Sequence, residues 1–241
     1  MKISKDSIVG DLVSENYKTA AVFNNFKIDF CCNGNLSITD AALKANVKVE
    51  NVITALKELP KENSGDHVDY RSWPLDLLVD YIEKKHHRYV EQQILNIKPI
   101  LEKVASVHGN EHPELDEIKR LFDESADEFT MHMKKEELML FPYIKRLVKT
   151  KSSGEPLKAA PFGEVRSPIA KMMEEHDQEG GRFRTINELS NAYELPVDAC
   201  NSYAVCYKLL QEFEEDLHHH IHLENNILFP AAEKLEKELM A

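Results

Sequence analysis

The chain has 241 residues, 42% of them hydrophobic, which is enough to bury the core of one ordinary domain and a small additional one. Its 42 acidic and 30 basic residues give a formal net charge of −12, which repels both phosphate backbones and anionic lipid surfaces. These values argue against nucleic acid and membrane as partners. We find no apolar leader-like stretch and no run of the ~20 apolar residues that a membrane-spanning helix needs, so we predict a cytoplasmic protein.

Short helical patterns fill residues 1–60 and predict a small helical N-terminal domain. Ser37-Ile-Thr-Asp40 has the form of a capping box that begins a helix over the following AALKAN. A second helix is expected over VENVITALKEL. The polar stretch at 61–73 lacks an amphipathic period, so we predict a linker there.

Residues 74–241 carry a different pattern, with four longer amphipathic segments at roughly 75–107, 112–150, 165–193 and 197–239. Glycine or proline stands near each break, as expected where helices end. Glycine and proline are otherwise few, and strand-like alternation is scarce, so the fold class is predicted to be all-α. Short connections within the first and second helix pairs predict an antiparallel four-helix bundle.

The strongest signal in the chain is a pattern that occurs twice. His132 and His220 each begin the pattern H-x3-E-x4-F-P, and the two copies lie 88 residues apart. Positions i and i+4 of a helix lie about 40° apart, so each copy can present an imidazole and a carboxylate on one face. A lone histidine precedes each copy by 44 or 45 residues. The repeat therefore selects six candidate metal ligands, namely His87, His132, Glu136, His176, His220 and Glu224.

Two such units about a pseudo-two-fold axis would place four imidazoles and two carboxylates in the bundle core. This set suits two metal ions, with a histidine pair on each ion and the glutamates bridging them. The alternative is a solvated surface pattern, and the duplication and the apolar neighbours Phe141 and Phe229 argue against it. Iron, manganese and zinc all accept such ligands, and the bridging carboxylates favour iron.

In addition to the repeat, the chain resembles the hemerythrin-like domains and, more closely, the ScdA-type di-iron proteins that repair iron-sulfur clusters. The resemblance covers nearly the whole chain. It rests on Asp29-Phe30-Cys31-Cys32-Asn33-Gly34, the helix carrying His87, the MKKEE and LFP run around Glu136, Glu175-His176-Asp177, and LENNILFP around Glu224. It implies the same six ligands and two iron ions per chain, joined by an oxo or hydroxo bridge.

Two positions depart from these families. Asn33 stands where the repair proteins have the first glycine of Cys-Cys-Gly-Gly, and asparagine also tolerates left-handed backbone angles, so we expect the turn to be kept. Gly180 stands where oxygen-carrying hemerythrins have a further histidine. The ligand set is therefore poorer in nitrogen, which argues against a dedicated oxygen carrier.

Cys31 and Cys32 are candidate functional thiols, because a disulfide between adjacent cysteines is strained. In a turn before a helix their pKa values could be lowered, and they could receive iron, exchange thiols or react with an oxidant. The alternative is that they only pack as small apolar residues. Cys200 and Cys206 are interpreted as buried packing residues.

The remaining histidines are interpreted as having no part in the ligand set. His218, His219 and His222 are expected at the surface or beside the ligands, and His87 is preferred over the adjacent His86. The histidines at 67, 108 and 112 are expected in loops.

The resemblance implies repair of iron-sulfur clusters damaged by oxidative or nitrosative stress, by supplying iron to the damaged proteins. Two alternatives stay open: reduction of nitric oxide to nitrous oxide, and sensing of nitric oxide or oxygen at the same centre. Whether the protein is an enzyme is therefore left open, as is its oligomeric state, with a homodimer among the options.

Overall fold

The chain is built from helices in its computed structural model, which describes residues 3–59 and 68–241. Two isolated β-bridges are the only strand pairing in those two ranges, so the predicted all-α fold class is confirmed. None of the helices described is long and apolar enough to cross a membrane. Most of the predicted linker, residues 61–67 with His67, lies outside the described residues, and a single 3-10 turn follows at Tyr70–Ser72.

Four short helices form the N-terminal region: α1 (Val9–Glu15), α2 (Thr19–Asn25), α3 (Ile38–Lys44) and α4 (Val49–Glu58). The predicted capping box begins α3, because the Ser37 hydroxyl accepts a hydrogen bond from the backbone N–H of Asp40 at 3.1 Å.

Four long helical runs, named A to D, follow. Run A joins α5 (Leu75–Tyr81), a π-helical segment (Ile82–His87) and α6 (Arg88–His108). Run B joins α7 (Glu114–Lys135), a π-helical segment (Glu136–Leu140) and α8 (Phe141–Ser153). Run C is α9 (Arg166–Leu189), and run D joins α10 (Asn201–Leu223), a π-helical segment (Glu224–Leu228) and α11 (Phe229–Met240).

The four runs agree with the predicted segments except at the end of run C and at the start of run D, which begins at Asn201 and not at residue 197. The amphipathic pattern predicts helix to residue 193, whereas α9 ends at Leu189. Asn191, Ala192 and Tyr193 have φ values of 50°, 56° and 61°. These left-handed angles are incompatible with a right-handed helix, so the chain turns there although its side chains keep the apolar pattern.

The chain divides into two compact units. The first unit is formed by residues 1–78, 147–158 and 221–241, and the second by residues 79–146 and 159–220. The core of the first unit includes the fully buried side chains of Phe23, Phe30 and Ile38.

The second unit contains parts of all four runs around an aromatic core. Phe183 of run C stacks on Phe213 of run D with ring centroids 5.3 Å apart, and Phe122 of run B meets Phe213 edge-on at 5.4 Å. Val90 and Ile97 of run A are also fully buried. The second unit is therefore a bundle of four helices with a continuous interior.

Candidate metal centre

Three of the four runs leave α-helical geometry at a predicted ligand. The π-helical segment of run A ends at His87, and those of runs B and D begin at Glu136 and Glu224. A π turn holds one more residue than an α turn and often occurs at functional sites. The distortions at Glu136 and Glu224 lie at matching positions of the repeat, which indicates that runs B and D are shaped to aim these side chains.

The second unit brings five of the six predicted ligands together in its interior, with side chains only 0–2% exposed. Nε2 of His87 lies 3.5 Å and Nε2 of His132 lies 3.4 Å from the same oxygen, Oε2 of Glu136. Ligand atoms of His87, Glu136 and His220 lie within 4.8 Å of one another, and so do those of His132, Glu136 and His176. Glu136 is therefore common to two histidine pairs.

The spacing of His132 and His176 fits two ligands of one ion. Their Nε2 atoms lie 2.9 Å apart. Two nitrogen ligands at right angles, each about 2.1 Å from a metal, would lie about 3.0 Å apart. A buried carboxylate is costly unless it is paired or coordinates a metal, and Glu136 is fully buried. The donor set and its spacing therefore fit a bound cation.

Glu224, the sixth predicted ligand, lies one helical turn beyond His220 on run D. The i,i+4 spacing places its carboxylate on the same helical face as the His220 imidazole. Its side chain is also fully buried.

Two further carboxylates hydrogen-bond to the imidazoles of predicted ligands, on the side of each ring away from Glu136. Nδ1 of His87 hydrogen-bonds to Oε1 of Glu137 at 3.0 Å, and Nδ1 of His132 hydrogen-bonds to Oε2 of Glu175 at 2.8 Å. The His132 hydrogen bond, and then Lys135, lower the pKa of Glu175 to about 2. An ionised acceptor keeps the imidazole proton on Nδ1, so Nε2 is left to bind a cation. Both acids stand in the motifs that carry the family resemblance, but the sequence predicts no role for either.

Aromatic rings pack against the ligand imidazoles. Phe141 stacks on His87 with ring centroids 5.4 Å apart, and Phe129 stacks on His132 at 5.1 Å. Phe141 is the phenylalanine of the first H-x3-E-x4-F-P copy. Its place in the repeat is therefore explained by its packing on a predicted ligand.

The histidines next to the predicted ligands have other partners. His86 is buried, and its Nδ1 hydrogen-bonds to Asp216 at 3.0 Å. Burial, and then the neighbouring His86, lower the pKa of His219 to about 3. In the described part of the chain, neither His86 nor His219 belongs to the two groups of possible metal ligands that share Glu136. The preference for His87 and His220 is consistent with this arrangement.

Cys31 and Cys32 lie in the first unit with their Sγ atoms 3.7 Å apart. Asp29 Oδ1 accepts from the backbone N–H of Cys32 at 2.9 Å, and ligand atoms of these three residues lie within 4.8 Å of one another. The expected lowering of the pKa is wrong for Cys31. The hydrogen bond with Cys32, and then burial and Asp29, hold the pKa of the Cys31 thiol well above its usual value.

Residues 29–34 form a turn around the two cysteines, named the cysteine turn. The side chain of Asn33 holds this turn, and its backbone is not left-handed, since its φ is not positive. Its amide donates to Oδ2 of Asp29 at 2.7 Å and accepts from Nζ of Lys44 at 2.8 Å. The expected reason for tolerating asparagine is therefore wrong. The side chain ties the turn to α3.

The two asparagines of the LENNILFP run hold the cysteine turn in the first unit. Asn225 Nδ2 donates to the carbonyl of Cys31 at 3.2 Å, and Asn226 Nδ2 donates to the carbonyls of Phe30 and Cys31 at 3.3 and 3.2 Å. His222 is buried and hydrogen-bonds to Asn226, so of its two expected places, at the surface or beside the ligands, the surface is excluded.

The expectation that Cys200 and Cys206 are both buried holds for Cys206 alone. Cys206 is fully buried in the second unit, whereas Cys200 is exposed. Cys200 directly precedes α10, and the side chain of a residue at this position is not covered by the helix that follows.

A helical bundle in which a buried glutamate is common to two histidine pairs defines a cation-binding protein of the hemerythrin type. The family model described as the hemerythrin HHE cation binding domain matches residues 78–232. A second family model, ScdA_N, described as a domain of unknown function, matches residues 5–60.

Similar proteins match almost from end to end. The chain is 32% identical to the iron-sulfur cluster repair protein ScdA of Staphylococcus haemolyticus, over 94% of this chain and 98% of that protein. It is 30% identical to the iron-sulfur cluster repair protein YtfE of Musicola paradisiaca, over 95% and 96% of the two chains, and 31% identical to YtfE of Yersinia pseudotuberculosis, over 95% and 97%. The chain therefore belongs to the hemerythrin HHE family and, within it, to the ScdA and YtfE group.

Proposed function

We propose that this protein holds two iron ions and uses them to repair iron-sulfur clusters damaged by oxidative or nitrosative stress. The observation that carries the proposal is Glu136, a fully buried carboxylate common to the His87/His220 pair and the His132/His176 pair. One histidine pair per ion, with a carboxylate between the ions, is the arrangement that a two-metal site needs. Glu224 is the second shared carboxylate in this proposal, because of its register to His220.

Six protein ligands do not saturate two ions that each prefer about six. The unfilled positions suit an oxo or hydroxo bridge and small exogenous ligands, and they leave the iron less firmly held than in a closed structural site. Bound iron would supply redox chemistry and an exchangeable metal. The protein's own part is to hold Nε2 of each histidine toward the ions, through partners such as Glu137 and Glu175.

The repair role is supported by the names of the similar proteins and by the cysteine turn. Asp29, Cys31 and Cys32 offer one carboxylate and two sulfur ligands close together. Thiolates are good ligands for iron, and binding a metal would remove the thiol proton even where the pKa is raised. We infer that these residues accept iron on its way to a damaged client protein.

The first experiment tests the metal centre. Metal analysis and Mössbauer spectroscopy of the aerobically purified protein should show two iron ions per chain in a coupled pair. One zinc ion per chain, or no bound metal, would end the di-iron proposal.

The second experiment tests repair against nitric oxide chemistry. Isotopically labelled iron in the protein should appear in an apo iron-sulfur protein, with recovery of that protein's activity. The Cys31→Ser/Cys32→Ser double variant should keep its iron but transfer it more slowly, whereas Cys206→Ser should transfer normally. Multiple-turnover nitrous oxide production without iron transfer would favour a nitric oxide reductase instead. Nitric oxide or oxygen binding without either activity would favour a sensor.

The double variant tests the cysteine turn better than removal of residues 1–60. The linker predicted at 61–73 suggests that residues 1–60 could be removed without unfolding the four runs, but in the first unit Asn225 and Asn226 hydrogen-bond to the cysteine turn. Truncation would leave the buried Asn225 amide and the half-buried Asn226 amide without these acceptors, which is costly. A loss of activity after truncation would therefore not identify the thiols as its cause.

A further inference from the structure

Cys200 and His108 form a pair of thiol and imidazole in the second unit, away from the candidate metal centre. Cys200 is exposed and directly precedes α10, and its Sγ lies 3.3 Å from Nε2 of His108, the last residue of α6. Neither residue belongs to the ligand groups around Glu136. A thiol within hydrogen-bond distance of an imidazole is the arrangement that activates cysteine as a nucleophile.

The local electrostatics favour the thiolate. The His108 hydrogen bond, and then the backbone N–H groups of Tyr203 and Ser202, lower the pKa of Cys200 to about 7. Those N–H groups belong to the first turn of α10, a 23-residue helix whose N-terminus carries partial positive charge.

Other titratable groups lie near the pair, but the hydrogen-bond partner of the Cys200 sulfur among the imidazoles is His108. The His112 side chain hydrogen-bonds to Asp198 at 3.1 Å and to Glu114 at 3.2 Å. His112 therefore partly neutralises the negative charge of these two acids. The ring of Tyr203 packs against His108, with centroids 5.3 Å apart.

The other cysteines differ in ways that make the comparison testable. Burial raises the pKa of Cys206 to about 12, and the pKa of Cys31 is also raised. Both thiols are buried, so access and ionisation disfavour reaction at each. Cys200 combines exposure with a hydrogen-bonded imidazole.

We propose that Cys200 is a site of covalent modification by small-molecule disulfides. The Cys200 thiolate attacks one sulfur of the disulfide, so that a new S–S bond forms as the original one breaks. The released thiolate takes a proton from water. The disulfide is the oxidant, and one of its halves stays on the protein as a mixed disulfide.

Full-length protein treated with the neutral hydroxyethyl disulfide should carry the adduct on Cys200 first, as shown by peptide mapping. Iodoacetamide alkylation rates at Cys200, measured from pH 5 to 10, should rise with a midpoint near pH 7. His108→Gln should move the midpoint toward the ordinary thiol value of about 8.5 and slow alkylation at pH 7 roughly three- to fivefold. Above about pH 9 the variant should react faster, because a thiolate of higher pKa is the better nucleophile.

His112→Gln is the matched control, since it removes a neighbouring imidazole that hydrogen-bonds to Asp198 and not to Cys200. Its midpoint should rise far less than that of His108→Gln, because only the charge of nearby acids is released. Cys206 should stay unlabelled throughout, which shows that each variant is folded. The proposal is overturned by a wild-type midpoint near 8.5, by a His108→Gln profile equal to wild type, or by faster adduct formation at Cys32. It is also overturned if Cys200 is unreactive until a chelator removes a metal from it.

Discussion

His132 and His176 face each other through Nε2 atoms 2.9 Å apart, although 44 residues separate them in sequence. The Nδ1 of His132 is hydrogen-bonded to the ionised Glu175, so the proton of this imidazole is held on the side away from His176. A cation between the two Nε2 atoms would satisfy both lone pairs.

His176→Ala should therefore remove one ion and leave the other. The His87/His220 pair keeps its carboxylate, so iron content should fall from about two toward about one per chain, measured by elemental analysis. His219→Ala is the control, because His219 is next to a predicted ligand in sequence but outside both ligand groups. Equal iron loss from the two variants would show that the pairing is wrong.

Glu136→Ala should be more damaging than His176→Ala, because Glu136 is common to both histidine pairs. Iron content should fall well below one per chain. Glu137→Gln makes a graded comparison, since Glu137 hydrogen-bonds to Nδ1 of His87 and also pairs with Arg88 and Lys134 at the edge of the site. Loss of such a supporting partner typically reduces metal affinity about 10- to 100-fold, so this variant should bind iron but release it faster to a chelator. Retention of two firmly bound ions by Glu136→Ala would rule out a shared role.

The meeting of five predicted ligands in the second unit was predictable because the information for it is local. A four-residue spacing on a helix fixes which side chains share a face, and the duplication of H-x3-E-x4-F-P joins His132 to His220 without any knowledge of the fold. The capping box at Ser37 is local in the same way. The four runs follow from apolar periodicity, which misplaces the end of run C and the start of run D, on either side of left-handed residues such as Ala192.

Other features depend on contacts between distant segments and leave no periodic trace. Asn225 hydrogen-bonds to the carbonyl of Cys31, which lies 194 residues earlier. Cys200 hydrogen-bonds to the imidazole of His108, which lies 92 residues earlier. The sequence around Cys200 reads like that of any cysteine in an apolar helix. Only the position of Cys200 ahead of α10, beside the end of α6, exposes it to solvent and to His108.

Acid should release the metal before it unfolds the helices. Binding needs an unprotonated Nε2 on each histidine, so occupancy is kept above the ordinary histidine pKa of ~6.5 and falls below it as protons compete. We expect iron loss across about pH 6.5 to 4.5, measured by elemental analysis after dialysis, with helix content followed by circular dichroism. Full retention of iron at pH 4 would exclude these histidines as ligands.

The His112–Asp198 pair should give a separate pH signature in stability. Asp198 raises the pKa of His112, and His112 lowers the pKa of Asp198. The histidine's contribution is complete below its ordinary pKa of ~6.5 and is lost as pH rises through the raised value. The aspartate's contribution is present above its ordinary pKa of ~3.9 and is lost as pH falls through the lowered value.

Wild type should therefore exceed His112→Gln in thermal midpoint chiefly between about pH 4 and 6.5, and the gap should close in alkaline solution. Chelator in every sample removes the metal as a variable. Asp198→Asn should reproduce most of this profile, and the double variant should add only the smaller loss of the hydrogen bond between His112 and Glu114. A pH-independent gap would mean that His112 contributes by packing and not by charge.

Gly34→Ala should loosen the cysteine turn, because Gly34 is where the backbone and Asn226 approach most closely. A Cβ on Gly34 would lie 2.6 Å from the carbonyl oxygen of Phe30, and it would also clash with the Asn226 side chain that bonds to that oxygen. The backbone must move to relieve the contact, and overpacking of this kind costs about 1–3 kcal/mol. The free energy of unfolding in urea should fall by that amount, and the buried Cys31 should become alkylated faster in the folded protein.

Gly181→Ala is the control, since its Cβ would meet only a flexible Arg184 nitrogen at 3.6 Å within α9, where alanine stabilises a helix by up to about 1 kcal/mol. If Gly34→Ala matches wild type in stability and still protects Cys31, the turn adapts to the added methyl group, and the close approach of Asn226 does not set the position of the thiols.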